Sequence, residues 1–591
     1  MDRTQILGFI LIITILFTWM WMTAPQQTKQ APKKEETTNK QNTEPIIKEI
    51  KQRIETSQFF KENTQGVSKS VIIETDNYIA EIQNNNGTIK SFELKKYKSW
   101  GKKYNVQLIN DTLGGDLDLR FMAKDGKEIS TKNLFFDFEN INQKYLKLVG
   151  KDEKAIHLSL KTATGKITKT LIFNNNDYTI DLNISIENAN EMISNYEYQL
   201  EWTNGLRYTE VNSIAESQAT AAHAFTGGEL VTIDAATVGE TININPTGAT
   251  NWVATHNKYF ATSLISKDKK SSGCYINGTH ESVQNFGSVE KYSIALKFPI
   301  SDNKINSINT QLYVGPMDLA ELKKADDNLG QIIYLGWSWI RPLSEYIFIP
   351  LFSLLQFVTS NFGIVIILFT IVIKLALFPL SRKSMLSMKK MRALQPIINE
   401  LKEKLKSDPS QLNIQTMKLY KDYGVNPAGG CLPLLLQMPI LYSLYSLFSN
   451  SIELRQADFM LWINDLSIPD VIFSLPFRLP LVGLQDISGL ALMMAIAMFI
   501  QQKMTIQDPS QKAIVYIMPP MMFLLFNFFP AGLNLYYLAY NILSLGEQIY
   551  FTKLTKPVVL TKVERKNKAP GFMEKLMHRA QEQAERQKKK R

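Results

Sequence analysis

Cysteine and histidine are scarce, with two and five residues in a chain of 591. Cys274 stands in polar sequence and Cys431 at the edge of an apolar run, so no disulfide framework is implied. His157, His223, His256 and His280 are scattered singly without a recognisable signature, and the expected role of each is structural or superficial. Thr164-Gly165-Lys166-Ile167-Thr168 lacks the leading glycine of a phosphate loop and sits in strand-like sequence, so no nucleotide site is read there. No cofactor and no metal are expected. Acidic residues are also in deficit: 66 Lys and Arg against 55 Asp and Glu leave a net charge of +11.

What the chain does have is apolar sequence gathered into blocks. The mean hydropathy of −0.12 averages two unlike materials. Ile6–Met22, Gly363–Leu380, Leu432–Phe448, Ile514–Phe529 and Leu533–Phe551 are long enough to span a bilayer, and Gly489–Met504 is a shorter, weaker sixth. The first block reads as a signal peptide or an uncleaved anchor. Its length, its closing Trp19 and Trp21 and the lack of a small-x-small cleavage site favour the anchor.

Placement of charge sets the expected topology. Residues 381–426 hold ten Lys or Arg against four Asp or Glu, and residues 552–591 hold thirteen against four. Residues 450–487 instead hold Arg455 and Arg478 against Glu453, Asp458, Asp465, Asp470 and Asp486. The positive-inside rule puts the two basic stretches and both termini in the cytoplasm and the acidic loop outside, which six spans satisfy and five do not.

The texture of the rest changes along the chain. Gln26–Pro45 is polar and punctuated by proline, a flexible tether. From about Ser70 to Pro316 short runs such as Val71-Ile72-Ile73, Tyr178–Leu182 and Gln311–Val314 are parted by turn signals such as Asn85-Asn86-Gly87 and Asn277-Gly278. That pattern predicts a large β-sandwich outside the cytoplasm. Aromatic-rich Gly336–Ser360 predicts an interfacial helix, and Met388, Met391, Leu394, Ile398, Leu401 and Leu405 recur at helical spacing in Arg382–Lys406. Asp408-Pro409 turns the chain and Leu412–Tyr423 returns it, making a basic cytoplasmic hairpin in which Lys389, Lys390 and Arg392 lie off the apolar stripe. The expected organisation is an anchor at 1–24, a linker at 25–60, a β domain at 61–330, an interfacial helix at 331–360, a helical core at 361–551 with its hairpin at 381–426, and a basic tail at 552–591.

Two features carry chemistry. Lys374 lies deep in the second block, and no acidic partner at matching depth is evident in the other blocks. A charge near mid-bilayer costs roughly 2.5–3.5 kcal/mol, so an unpaired one belongs beside water or a ligand, unless its long stem snorkels to the interface. In the last block Asn534, Tyr537, Asn541, Ser544 and Gln548 share one stripe of a helix. A polar stripe in lipid faces protein or water, and five in register beside the lysine predict a wet groove to which Thr370 also belongs. Gln437 adds weaker polarity in the third block, while Pro433, Pro439, Pro519 and Pro520 interrupt the spans.

Asn426-Pro427-Ala428-Gly429-Gly430-Cys431-Leu432-Pro433, continuing to Gln437-Met438-Pro439, together with Glu453–Phe459 and Gly532-Leu533-Asn534-Leu535-Tyr536-Tyr537, resembles the bacterial YidC/Oxa family of membrane protein insertases. Trp462 with Asp465-Leu466, and Leu312–Pro316, fit the same pattern across nearly the whole chain. The resemblance implies a multi-domain membrane protein: an α-helical bundle of six transmembrane helices, five forming the insertase core, plus an all-β periplasmic sandwich. It implies a nucleotide-independent insertase and chaperone of the bacterial inner membrane with no enzymatic activity. Its groove would open to cytoplasm and lipid. The implied partners are nascent membrane proteins, membrane lipid, the SecYEG/SecDF translocon, and the ribosome through the basic tail and hairpin, with no DNA. The family's groove charge is usually arginine, and Lys374 stands there without arginine's planar fork. Two other classes stay open on the residues alone: a small-solute transporter, for which no repeated halves are evident, and a membrane-anchored periplasmic carbohydrate-active enzyme.

Overall fold

A computed structural model describes residues 57–110, 113–139, 141, 143–268, 271–283, 287–406, 408–425, 432–479, 483–505, 512–555 and 560–562. The first apolar block, the tether, Asn426–Cys431 and most of the basic tail lie outside the described residues. Contacts divide the chain into two units, residues 2–335 with 450–453, and residues 336–449 with 454–591.

The first unit is a β-sandwich. Its smaller sheet has five strands: Ser70–Glu74, Tyr78–Gln83, Thr88–Lys98 and Asn105–Gln107 run antiparallel in order, and Tyr145–Lys147 joins the first in parallel. Among the described residues the larger has fifteen strands, and toward one end of it lie the long antiparallel partners Lys166–Asn174, Thr179–Glu187 and Ile305–Pro316. Alternation decides the faces. In Lys166–Asn174 the residues Ile167, Leu171 and Phe173 point inward with the lysine of the same register, Lys169. Its ammonium is fully buried, donating to the carbonyls of Gly87 and Leu117 and to Thr131 Oγ1 at 2.9–3.2 Å, and burial pushes its pKa down to about 8.

Asn86 and Gly87 form a left-handed turn, with φ of 71° and 54°. Asn277-Gly278, expected as a turn, instead lies inside the strand Ser271–Val283. The glycine serves packing: a Cβ there would meet Tyr292 Cε1 at 2.5 Å.

The second unit is helical. After a π-helical turn at Ser344–Phe348 come α1 (Ile349–Gln356), α2 (Phe362–Lys404), α3 (Pro409–Asp422), α4 (Leu432–Asn450), α5 (Gly489–Thr505), α6 (Lys512–Phe526) and α7 (Ala531–Ile549). Asn361 opens α2 by accepting the Ile364 amide, and Asp408 opens α3 by accepting that of Gln411. The second apolar block and the first arm of the hairpin form one helix, α2 running through both for 43 residues with Pro379 and Pro396 inside it. A proline removes one ladder bond, and the Lys, Arg, Met, Leu and Glu on either side restore helical propensity. Leu394, Ile398 and Val425 form the hairpin's own small core, with Met391, Leu419 and Tyr423 against it.

Among the described residues α2 alone is both long and apolar enough to cross a bilayer by itself, and α5 and α6 contain shorter apolar helices. Apolar side chains are nonetheless turned outward across the unit, including Val372, Leu375, Ile496, Ile500, Ile517 and Ile542. Such an outward apolar surface is a poor match for water and a good one for lipid.

Candidate functional site

Lys374 lies on the inward face of α2 with Phe369, Thr370 and Ile373, and is 7% exposed. The expectation that it has no acidic partner is wrong. Its Nζ lies 2.8 Å from Glu547 Oε2 on α7, the two side chains being 9% and 14% exposed. The aligned hydrogen bond of the ammonium goes to Ser544 Oγ at 2.7 Å, while the carboxylate contact is a charge pair short of hydrogen-bond alignment. Tyr540 completes the site, its ring centroid 4.4 Å from Nζ. Tyr540, Ser544 and Glu547 follow i, i+4, i+7, so one face of α7 supplies an aromatic ring, a hydroxyl and a carboxylate to one amine.

This spacing is visible in the sequence. Glu547 lies between the Ser544 and Gln548 positions of the polar stripe, and the amides and hydroxyls that define the stripe do not include it.

The other expected residues divide. Thr370 Oγ1 donates to the Ile366 carbonyl of its own helix at 2.7 Å, and Asn541 Nδ2 to Tyr537 O at 2.9 Å. Ser544 both accepts from Lys374 and donates to Tyr540 O at 2.8 Å. Gln437 on α4 donates to Tyr536 OH at 2.9 Å, one turn before Tyr540 on the same face of α7, where the two tyrosine rings stack. Asn534 is fully buried at the start of α7, where Nδ2 reaches Phe526 O at 3.1 Å and Phe529 O at 3.4 Å. It ties off the end of α6. Tyr537 is half-buried against Phe526.

Two of the hairpin cations also point home. Lys389 Nζ donates to the carbonyls of Phe551 and Thr555 and to Thr555 Oγ1 at 2.6–3.1 Å, and Arg392 Nη2 to Met504 O at 2.5 Å. Each side chain thus closes the C-terminal end of a helix, where the backbone leaves acceptors over and the dipole favours a cation. Lys390 is half-buried beside them.

The β unit brings together groups that the sequence left scattered. His223 and His256 touch, and Glu290 gathers Ser217, Tyr292 and His280. Ser217 Oγ donates to Glu290 Oε1 at 3.0 Å, and His280 Nδ1 meets the Ala235 carbonyl at 2.7 Å. Ser217 Oγ also lies 3.4 Å from His280 Nε2, so serine, imidazole and carboxylate form one hydrogen-bonded cluster. Ser217 and Glu290 are both buried.

The sequence matches two family models: the YidC periplasmic domain at residues 70–349 and the 60Kd inner membrane protein at residues 354–558. A membrane protein insertase YidC of Chloroherpeton thalassium is 35% identical over 596 residues, covering 97% of this chain and 100% of that protein. The chain belongs to the YidC family of membrane protein insertases. A second YidC, of Chlorobium limicola, is 36% identical over 564 residues, covering 94% of this chain and 95% of that protein. A solved structure of an active YidC insertase with its first transmembrane domain resolved is 20% identical, with a TM-score of 0.34 over 82% of this chain and 93% of that one. YidC proteins are not enzymes. Membership makes this an inner-membrane protein with a periplasmic domain, the β unit being the part that matches that domain.

Proposed function

We propose that the chain inserts nascent membrane proteins through a polar groove between α2 and α7, with Lys374, Glu547, Ser544 and Tyr540 at its centre and Thr370, Gln437, Tyr537 and Asn541 along its walls. One observation carries this reading: a buried ion pair held between two helices of a unit whose outward faces are apolar. An ion pair in such surroundings is costly unless it serves a polar passenger, since well-packed apolar residues of similar volume are often at least as stable.

In the groove, a client's short polar tail exchanges part of its hydration for Ser544, Tyr540 and the ion pair, while its apolar segment passes into lipid beside the bundle. Each Leu, Ile, Phe or Val of that segment contributes roughly 0.3–0.6 kcal/mol of insertion free energy. No nucleotide is needed, because partition of the apolar segment drives the step and the groove lowers the barrier for the tail. The membrane potential adds roughly 2.3 kcal/mol per charge per 100 mV on charged tails.

Six spans complete the unit, with the first at Ile6–Met22, both termini cytoplasmic and the acidic loop periplasmic. The charge distribution supports this arrangement. The protein acts alone or beside the Sec translocon, SecYEG with SecDF, and the basic tail and hairpin meet the ribosome through phosphate contacts.

Insertion of a single-span client with an acidic N-tail into proteoliposomes tests the groove. Lys374→Glu sets two carboxylates against each other and against the tail, and should lower insertion about tenfold, with Lys374→Ala between it and the parent. Unchanged insertion in both variants refutes the reading. Co-sedimentation of tail-deleted protein with ribosomes across a salt series tests the ribosome contact, which predicts a shallower salt dependence after deletion.

A further inference from the structure

We propose that Glu547 is a resident competitor for the groove cation: an incoming acidic tail must displace it from Lys374, so this one carboxylate sets how strongly acidic tails are preferred over neutral ones. The proposal rests on the groove reading above and adds a residue that determines its specificity.

Three features of the pair support it. Lys374 has two holds independent of Glu547, the hydrogen bond to Ser544 and the face of Tyr540, so the ammonium stays placed when the carboxylate leaves. Glu547 is held less firmly, for its Oε2 makes the charge contact without an aligned hydrogen bond, and its side chain is the more exposed of the two. An ammonium is also a point charge that trades one carboxylate for another without the paired geometry a guanidinium demands. The site therefore already contains the chemical group that an acidic client would bring, on the partner that moves more easily. A tail without carboxylates meets a neutral pair and gains nothing by separating it.

The test uses the full chain in proteoliposomes and stalled nascent chains carrying a photo-crosslinking probe in an N-tail with either three aspartates or three asparagines. Glu547→Gln removes the competitor and keeps the side-chain volume; the ratio of acidic-tail to neutral-tail crosslinking should rise at least about fivefold, the upper end for an exposed pair, because this one is largely buried. The exchanged pair, Lys374→Glu with Glu547→Lys, restores the contact in reverse and guards against loss of folding; its acidic-to-neutral ratio should fall to that of the parent or below. A ratio unmoved in Glu547→Gln while both tails still crosslink overturns the proposal and leaves the groove reading standing. Equal loss of both crosslinks in Glu547→Gln overturns it too, by making Glu547 a packing residue. Absence of tail crosslinks even in the parent protein refutes the groove reading and this inference together.

Discussion

The Nε2 atoms of His223 and His256 lie 2.9 Å apart inside the β unit, with their rings stacked at 10°. The surrounding bonds assign the protons. His256 Nδ1 faces the Asn257 carbonyl at 2.8 Å and must carry a hydrogen, which leaves its Nε2 as acceptor for His223 Nε2–H, and His223 Nδ1 accepts from Thr232 Oγ1. Both rings are thus neutral. Burial holds His223 well below its ordinary value and pushes His256 down to about 4.

Lowered histidine values make the neutral pair a stabilising element above about pH 6.5 that is progressively lost toward pH 4, where the unfolded chain binds protons that the fold refuses. Glu216 and Glu290, pushed up to about 7 by burial, act with the opposite sign between about 4.5 and 7. A variant comparison separates the two. The destabilisation caused by His223→Gln should be largest at pH 7 and should shrink as the pH falls toward 4. Hydrogen exchange of the amides in Thr247–His256 reads it, and a pH-independent difference would refute the assignment.

Gly278→Ala should destabilise the β unit by about 2 kcal/mol, because the new methyl would collide with the Tyr292 ring in a strand that cannot move aside. The melting temperature of the β unit measures this.

Asn534→Ala and Ser544→Ala should part company, although both residues lie on the one polar stripe. The first leaves the Phe526 and Phe529 carbonyls without their amide donor and should lower stability by about 1–3 kcal/mol. The second removes a ligand of the Lys374 ammonium and should alter crosslinking of acidic tails with a smaller thermal effect. Thermal unfolding and tail crosslinking on the same two preparations decide it.

Lys389→Ala should speed hydrogen exchange at Phe551–Thr555 about two- to fivefold, the worth of a cation at a helix C-terminus. Lys389→Arg should restore most of the protection. No change in either variant would mean that the helix end is closed without the side chain.

Periodicity carried most of the fold. Alternation marked the strands around Val71, Ile180 and Leu312, and the 3.6-residue repeat marked Leu394 and Ile398, because each records which side of one element is dry. Asn277-Gly278 misled because the same dipeptide suits a turn or a ring packed flat on a strand, and only the partner strand distinguishes them. The site was half legible. Lys374 announced itself by its cost in an apolar run, but its counter-ion lies on a helix far along the chain, and pairing across such a distance is set by packing that one segment does not record.

The unbroken course of α2 has a mechanical consequence. Lys374 and Leu394 stand 20 residues apart on one rod, about 30 Å along its axis and on roughly opposite sides of it. No loop separates them, but Pro379 takes a ladder bond out of the helix between the two, so a bend that parts the hairpin's motion from the amine's is expected at that proline.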